Sequence, residues 1–478
     1  MRKSCLLTLI GATLVAIVLV VATTIVLTSD EWNLETLRSA PAGGEELTEE
    51  IDDVLGEQLA ALEDSLGLDT EEVLALLEQQ EEAASLADDL RTELDDTFGG
   101  AVFDSATGTL TVQVTEEAAA AEVEQAGAEP ELVTHAEHEL TGVLAQLDDT
   151  EPVEGVTSWY IDVPENTVVI ETLPEAAEDG AEVLTAAGID QADATGSGDG
   201  AVQVIPGAQQ PELFDATAPP DGDAEQSPEQ SDGANVVGGA EYQAGLGLCS
   251  VGFAVEGGFV TAGHCGTEGT PTVDPDGVVA GAEFPDADMG WVDTDAAWTP
   301  SPWVMDYQPD NGAIAITGAE EAPVGAEVCR SGGTTGWHCG TIKATNETVH
   351  YPEGTVHGLT RTSACAEPGD SGGSWLAGTQ AQGVTSGGSG DCVLGGTTYF
   401  QPLNPILDEW NLELLTNDLA DPQPPEVPDP GDVGAAEPDA TPPATPAPDA
   451  PQSEREEQDA PGAQSGDQDP AELPEPTP

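Results

Sequence analysis

The sequence predicts an all-β domain over residues 235–416, preceded by a smaller α+β domain and followed by a disordered acidic tail. Three observations predict it. From Asn235 to about Thr416, Gly, Thr, Ser and Val dominate, and short apolar runs alternate with turn signals, the texture of a β-sandwich or a pair of barrels. Upstream of residue 196 the apolar spacing switches between helical and strand periods. After Asn417 the chain is mostly Pro, Ala, Asp and Glu, which offer too little apolar surface to offset the entropy of folding.

The 478 residues exceed what one core ordinarily organises, so several parts are expected. The chain carries 92 acidic and 8 basic residues, a formal net charge of −84. That balance excludes nucleic acid and anionic membranes as partners, because both would be repelled. Self-repulsion of this kind is relieved by salt, since the Debye length falls to about 3 Å at 1 M ionic strength. The charge therefore points to a saline medium, although acidic tails contribute to the count. The β domain itself holds only Arg330, Lys343 and Arg361 as strong bases.

In chain order, Arg2 and Lys3 precede a nearly unbroken apolar run from Cys5 to Leu27. Residues 1–29 read as a signal peptide or a signal anchor. The run is long enough to span a bilayer and no clean small-residue cleavage site follows it. Either way the remainder is exported, and the membrane is a partner only through residues 5–27 if they stay uncleaved. Residues 45–94 read as helix, with Leu55, Leu59, Leu62 and Leu66 at helical spacing. Asp69 and Glu72 form a capping box ahead of Val73–Leu77. A hairpin follows through Val102-Phe103, a turn at Ala106-Thr107-Gly108, and Leu110, Val112 and Val114. Helices are expected near 118–125 and 136–147, then a second hairpin from Trp159 to Ile170 that turns at Pro164-Glu165-Asn166. Residues 196–234 are rich in Gly, Pro, Gln, Asp and Ala and read as a linker containing a processing site.

Seven cysteines are present, and all except Cys5 lie between Cys249 and Cys392. An even set of six behind an export signal reads as three disulfides, and six cysteines allow fifteen pairings. No C-x-x-C spacing suggests metal ligands, and nothing calls for a metal or an organic cofactor.

Three motifs carry chemistry: Thr261-Ala262-Gly263-His264-Cys265, Asp286-Ala287-Asp288-Met289-Gly290-Trp291-Val292, and Glu367-Pro368-Gly369-Asp370-Ser371-Gly372-Gly373-Ser374. A serine hydroxyl is a weak nucleophile and needs a neutral imidazole within hydrogen-bond reach. The imidazole in turn needs a carboxylate that fixes its tautomer and stabilises the imidazolium. A Gly-rich turn around the serine supplies backbone N–H groups for a developing oxyanion. His338, His350 and His357 lie in no such motif. Asp286, Asp293 and Asp295 rival Asp288, but only Asp288 directly precedes an apolar run able to bury it.

With these motifs, residues 235–416 resemble the bacterial chymotrypsin-fold serine proteases of the streptogrisin and α-lytic type. Phe98-Gly99-Gly100 through Ile170, including Val156-Thr157-Ser158-Trp159-Tyr160, resembles the pro-region of α-lytic-type proteases, and the pro-region is assigned residues 30–195. The resemblance implies two six-stranded antiparallel β-barrels. It further implies a secreted serine endopeptidase that acts on proteins and peptides through an acyl-enzyme, with a monomeric mature domain. The pro-region would assist folding, then inhibit until removed, with processing near Ala234 or Asn235. By motif, Ser371 is the nucleophile, His264 the general acid/base and Asp288 the orienting acid. Gly369 and Ser371 supply oxyanion amides, Ser386 supports Asp288, and Thr385, Gly387 and Gly388 line the substrate edge. Arg330 is expected to pair with Asp370, and the implied disulfides are Cys249–Cys265, Cys329–Cys339 and Cys365–Cys392. Gly387, Gly388 and Thr385 place no bulk or charge in the primary pocket, which favours large apolar side chains at the cleaved position, while the domain's negative field would instead help basic peptides to approach. The rival reading is a non-catalytic protease-like binding module. Asp30-Glu31-Trp32-Asn33-Leu34-Glu35 recurs as Asp408–Glu413, the second copy being expected in the domain's last helix.

Overall fold

The computed structural model describes residues 62–63, 65–176, 179–189, 200–207, 209–214, 216–217, 235–307 and 312–417. The expected export signal, the first Asp-Glu-Trp-Asn-Leu-Glu copy, most of the leucine repeat before Leu62 and the acidic tail lie outside them. Among the described residues no helix is long and apolar enough to cross a membrane.

The first helix, α1 (Thr70–Leu94), starts where the sequence signals it. The Asp69 side chain accepts the Glu72 N–H, and Glu72 accepts the Asp69 N–H, each at 3.0 Å. Gly67 precedes this cap at φ +68°, a left-handed turn that separates α1 from the leucine pattern upstream. Helix α1 buries Val73, Leu76, Ala83, Ala87, Leu90 and Leu94. It packs on a sheet of β1 (Phe98–Asp104), β2 (Thr109–Val114) and β3 (Glu129–Leu132), with α2 (Glu117–Ala126) covering the same core. A second unit packs α3 (Glu137–Asp148) and α4 (Asp179–Ala187) on β4 (Val156–Asp162), β5 (Thr167–Thr172) and β6 (Val202–Pro206). Leu140, Leu144, Trp159, Val168, Ile170 and Val183 form its centre.

The stretch expected to be a plain linker carries strand β6 and two further short strands, β7 (Glu212–Leu213) and β8 (Ala216–Thr217). Each borrows its hydrogen bonds from an existing edge, β6 from β5, β7 and β8 from the domain that follows, so Gly- and Pro-rich composition did not exclude them.

The first half of the β domain contains β9 (Asn235–Gly238), β10 (Glu241–Ala244), β11 (Gly247–Ser250), β12 (Ala254–Val255), β13 (Gly258–Thr261), β14 (Pro271–Val273), β15 (Gly277–Glu283) and β16 (Met289–Thr294). β17 (Thr299–Met305) and β18 (Ala313–Ala315) complete it, β9 pairing in parallel with β17. The second half is a closed ring of β19 (Glu327–Gly332), β20 (Gly336–Tyr351), β21 (Gly354–Thr362), β22 (Ser374–Ala377), β23 (Gln380–Asp391) and β24 (Gly395–Pro402). Every neighbour pairing around that ring is antiparallel, in the order β19-β22-β23-β24-β21-β20 and back to β19. Helix α5 (Leu403–Trp410) returns to the first half, where Leu403 and Ile406 join a core with Phe253, Val260 and Ile314. The second Asp-Glu-Trp-Asn-Leu-Glu copy ends this helix at Asn411, whose φ of 50° closes it.

The β20–β21 hairpin projects beyond the ring, and β4 pairs with β20 at Trp159↔Thr348 and Ser158↔Val349. One sheet therefore runs from the protease-like barrel into the upstream α+β unit.

Candidate active site

The candidate site lies between the two halves of the β domain. Strand β13 ends in a 3-10 turn, Gly263–Cys265, that carries His264. Side-chain bulk at Gly263 would collide with backbone of Glu283 and Met289, so only glycine lets this turn approach β15 and β16 so closely. Asp288, directly before β16, is fully buried. Its carboxylate stands 2.8 Å (Oδ2) and 3.0 Å (Oδ1) from His264 Nδ1, and the His264 backbone N–H donates to Oδ1 at 2.9 Å. The Asp288 N–H donates to Gln401 Oε1 at 3.0 Å, a partner from β24 that the motifs did not reveal. On the other side of the ring, His264 Nε2 lies 2.7 Å from Ser371 Oγ.

Burial opposes ionisation of Asp288, but the attraction of His264 and hydrogen bonds from His264 and Ser386 outweigh it. They hold the carboxyl below the usual carboxylate range. Ser386 is itself held by the Tyr351 hydroxyl at 3.2 Å.

The Ser371 turn depends on left-handed backbone at Gly369 (φ +101°) and Gly372 (φ +80°). Ser250 Oγ donates to the Gly369 carbonyl at 2.8 Å, and the Ser250 N–H donates to the Ser371 carbonyl at 2.7 Å. Asp370 and Arg330 are both fully buried and meet at 3.2 Å. Asp370 also accepts from the N–H groups of Thr334, Thr335 and Glu367 and from the Thr335 hydroxyl, at 2.6–3.0 Å. Arg330 donates in addition to the carbonyls of Cys365 and Gly336 and to the Thr335 hydroxyl. A buried carboxylate with five donors avoids the cost of an unpaired ion beside Ser371.

Disulfides join Cys249–Cys265, Cys329–Cys339 and Cys365–Cys392. The first ties the His264 turn to β11, the second links the paired strands β19 and β20, and the third braces the loop before Ser371. Gly387 and Gly388 lie on β23 and pair with Leu213 and Glu212 of β7. Thr385, also expected on the substrate edge, is fully buried. Its hydroxyl accepts from Trp375 Nε1 at 2.9 Å and donates to the Gly373 carbonyl, so its side chain supports the serine turn from behind. His350 and His357 sit on the β20–β21 hairpin. Burial pushes His350 down to about 4.

One contact had no sequence signal. The Gly369 N–H donates at 2.8 Å to the carbonyl of Phe214, immediately after β7. Beyond it, β8 pairs with β11 at Ala216↔Leu248 and Thr217↔Gly247. The upstream chain thus lies along both sides of the Ser371 turn.

Comparison with known proteins gives the family. Family models described as alpha-lytic protease pro N-terminal, alpha-lytic protease prodomain and trypsin match residues 71–133, 135–191 and 232–409, respectively. Streptogrisin-C of Streptomyces griseus is 44% identical over 372 residues, covering 75% of this chain and 74% of that protein. Streptogrisin-D of the same organism is 35% identical, covering 70% of this chain and 80% of the relative. Among solved structures, Thermobifida fusca protease A shares 56% identity at a TM-score of 0.38, covering 38% of this chain and all of that one. This protein belongs to the chymotrypsin-like serine endopeptidases of the streptogrisin and α-lytic type, and it is made as a zymogen with a pro-region.

Proposed function

We propose that Ser371 is the nucleophile of this endopeptidase, His264 its general acid/base and Asp288 the residue that orients His264. The observation that carries the assignment is the continuous chain Asp288–His264–Ser371, with contacts of 2.8 and 2.7 Å. His264 Nε2 takes the Ser371 proton as Oγ adds to the substrate carbonyl carbon. The N–H groups of Gly369 and Ser371 stabilise the oxyanion. Collapse breaks the C–N bond, and His264 returns the proton to the leaving amine. Water, activated by His264, then hydrolyses the acyl-enzyme and restores the serine hydroxyl. Arg330 and Asp370 hold the turn in shape, Ser386 keeps Asp288 ionised, and the three disulfides fix the loops that carry these groups.

The substrate chain extends β23 at Gly387 and Gly388, and the residue to be cleaved is large and apolar. Phe214 supports this preference, since it shares one cavity with Pro368, Gly388, Ser389 and Gly390. Residues 30–195 act as a pro-region that templates folding and then inhibits, residues 196–234 carry the processing sites, and residues 235–416 form the monomeric mature enzyme. Export through residues 1–29 gives an extracellular location, and the acidic composition suits a saline one. A binding-module reading gains no support from an assembled triad.

Treating the exported protein with a fluorophosphonate probe tests the assignment. Label on Ser371, lost in Ser371→Ala and in His264→Ala, is expected. A folded, processed domain that takes no label would overturn it.

A further inference from the structure

The carbonyl presented to the Ser371 turn belongs to Phe214, about twenty residues before the expected junction near Ala234 or Asn235. Five observations describe its setting. Glu212 and Leu213 pair antiparallel with Gly388 and Gly387, as a substrate strand would. The Phe214 carbonyl accepts the Gly369 N–H at 2.8 Å. Past the serine, Ala216 and Thr217 pair with β11, whose last residue, Ser250, hydrogen-bonds Ser371. Phe214 itself is 5% exposed. A methyl group at Gly388 would stand 2.9 Å from the tip of its ring, so glycine makes room for the aromatic side chain.

The geometry points to the peptide bond after Phe214 as the enzyme's first, intramolecular cleavage site. This rests on the assignment of Ser371 above. Ser371 Oγ adds to the Phe214 carbonyl carbon while His264 takes its proton. The bond to the nitrogen of Asp215 breaks, and that nitrogen receives the proton from His264. Water then releases Phe214 as a carboxylate. The first product begins at Asp215 and keeps the acidic stretch through Ala234. A second peptide-bond hydrolysis must remove that stretch to give a mature chain beginning near Asn235. Maturation is therefore two successive cuts, with the aromatic residue of the first also defining the preferred substrate.

A time course on the purified full-length precursor tests this, with new N-termini read by mass spectrometry. A chain beginning at Asp215 should appear before any beginning near Asn235. Phe214→Asp should slow its appearance at least tenfold, while Phe214→Tyr should preserve it and report on folding. Ser371→Ala should leave the precursor intact. A first product starting near Asn235, or unchanged kinetics in Phe214→Asp, would overturn the inference. Fluorophosphonate labelling of the same samples separates the two claims. Label on Ser371 without an Asp215 terminus refutes the cleavage site alone. No label refutes both the assignment and the site built on it.

Discussion

Replacing Arg330 with methionine keeps the length of the side chain and removes its charge. The change strands the Asp370 carboxylate, fully buried, without its 3.2 Å partner. Removing one member of a buried ion pair typically costs 3–5 kcal/mol. Here the carboxylate keeps four other donors, from Thr334, Thr335 and Glu367. The loss of Arg330 also frees the carbonyls of Cys365 and Gly336. These effects oppose each other, and we expect a loss near the lower limit, about 3 kcal/mol. For a domain of this size, each kcal/mol shifts the midpoint by about 2–4 °C, so the expected fall is roughly 6–12 °C. Thermal unfolding of the full chain in a Ser371→Ala background, which prevents self-digestion, measures it. Arg330→Met with Asp370→Asn should recover part of the loss, because the stranded charge is gone. A fall below about 1 °C in the single variant, or strict additivity in the double, would refute the argument that the pair is coupled.

Asp288→Asn should lower kcat about 10⁴-fold at neutral pH with little change in KM, because the amide leaves His264 in the wrong tautomer; steady-state hydrolysis of a Phe-containing peptide checks this. Glu171→Gln removes the 2.9 Å pro-region contact to Arg361, leaving Arg361 paired to Glu347. Loss of the pro-region after cleavage should be about tenfold faster, as for one charge-assisted hydrogen bond of roughly 1.5 kcal/mol. His357 meets Asp148 of the pro-region at 3.4 Å, and the Asp148 hydrogen bond raises its pKa despite opposing burial, with Asp286 adding a smaller push. Burial disfavours the Asp148 carboxylate, but His357, Trp159 and Thr348 outweigh it and hold its pKa down. The carboxylate's contribution is present above its ordinary 3.8 and fades as pH falls through the lowered value. The imidazolium's contribution is complete below 6.5 and fades as pH rises through the raised value. Pro-region dissociation should therefore accelerate from pH 6 to pH 9, and His357→Gln should flatten that profile in a fluorescence release assay.

The parts of this molecule that depend on local chemistry were legible in its sequence. The Asp69–Glu72 cap needs only residues three apart, and each member of the proposed triad sits in a motif that shapes its own turn. The apolar alternation of β4 and β5 likewise announces a hairpin. What escaped is pairing across distance. Val202–Ile205 alternates like a strand, but Gly and Pro around it read as linker, and its partner β5 lies upstream of α4. The Phe214 carbonyl gained meaning only when β7 was seen on β23. Thr385 was expected on the substrate edge with Gly387 and Gly388, and its side chain turns inward to Trp375. The role of Gln401 beside Asp288 had no signal at all, since nothing in Phe400-Gln401-Pro402 distinguishes that amide from an ordinary strand residue.

The closed ring has a consequence for the order of events on the ribosome. β19 must find β22, and β21 must find β24, before the ring closes. Such non-local pairings are slow to assemble from an unfolded chain. The edge of β4, by contrast, belongs to residues 156–162 and is synthesised long before β20 emerges. When the β20–β21 hairpin appears, a finished edge waits for Thr348 and Val349. Nascent barrel strands thus meet a ready-made border, and β20 sets against a strand made about 180 residues earlier.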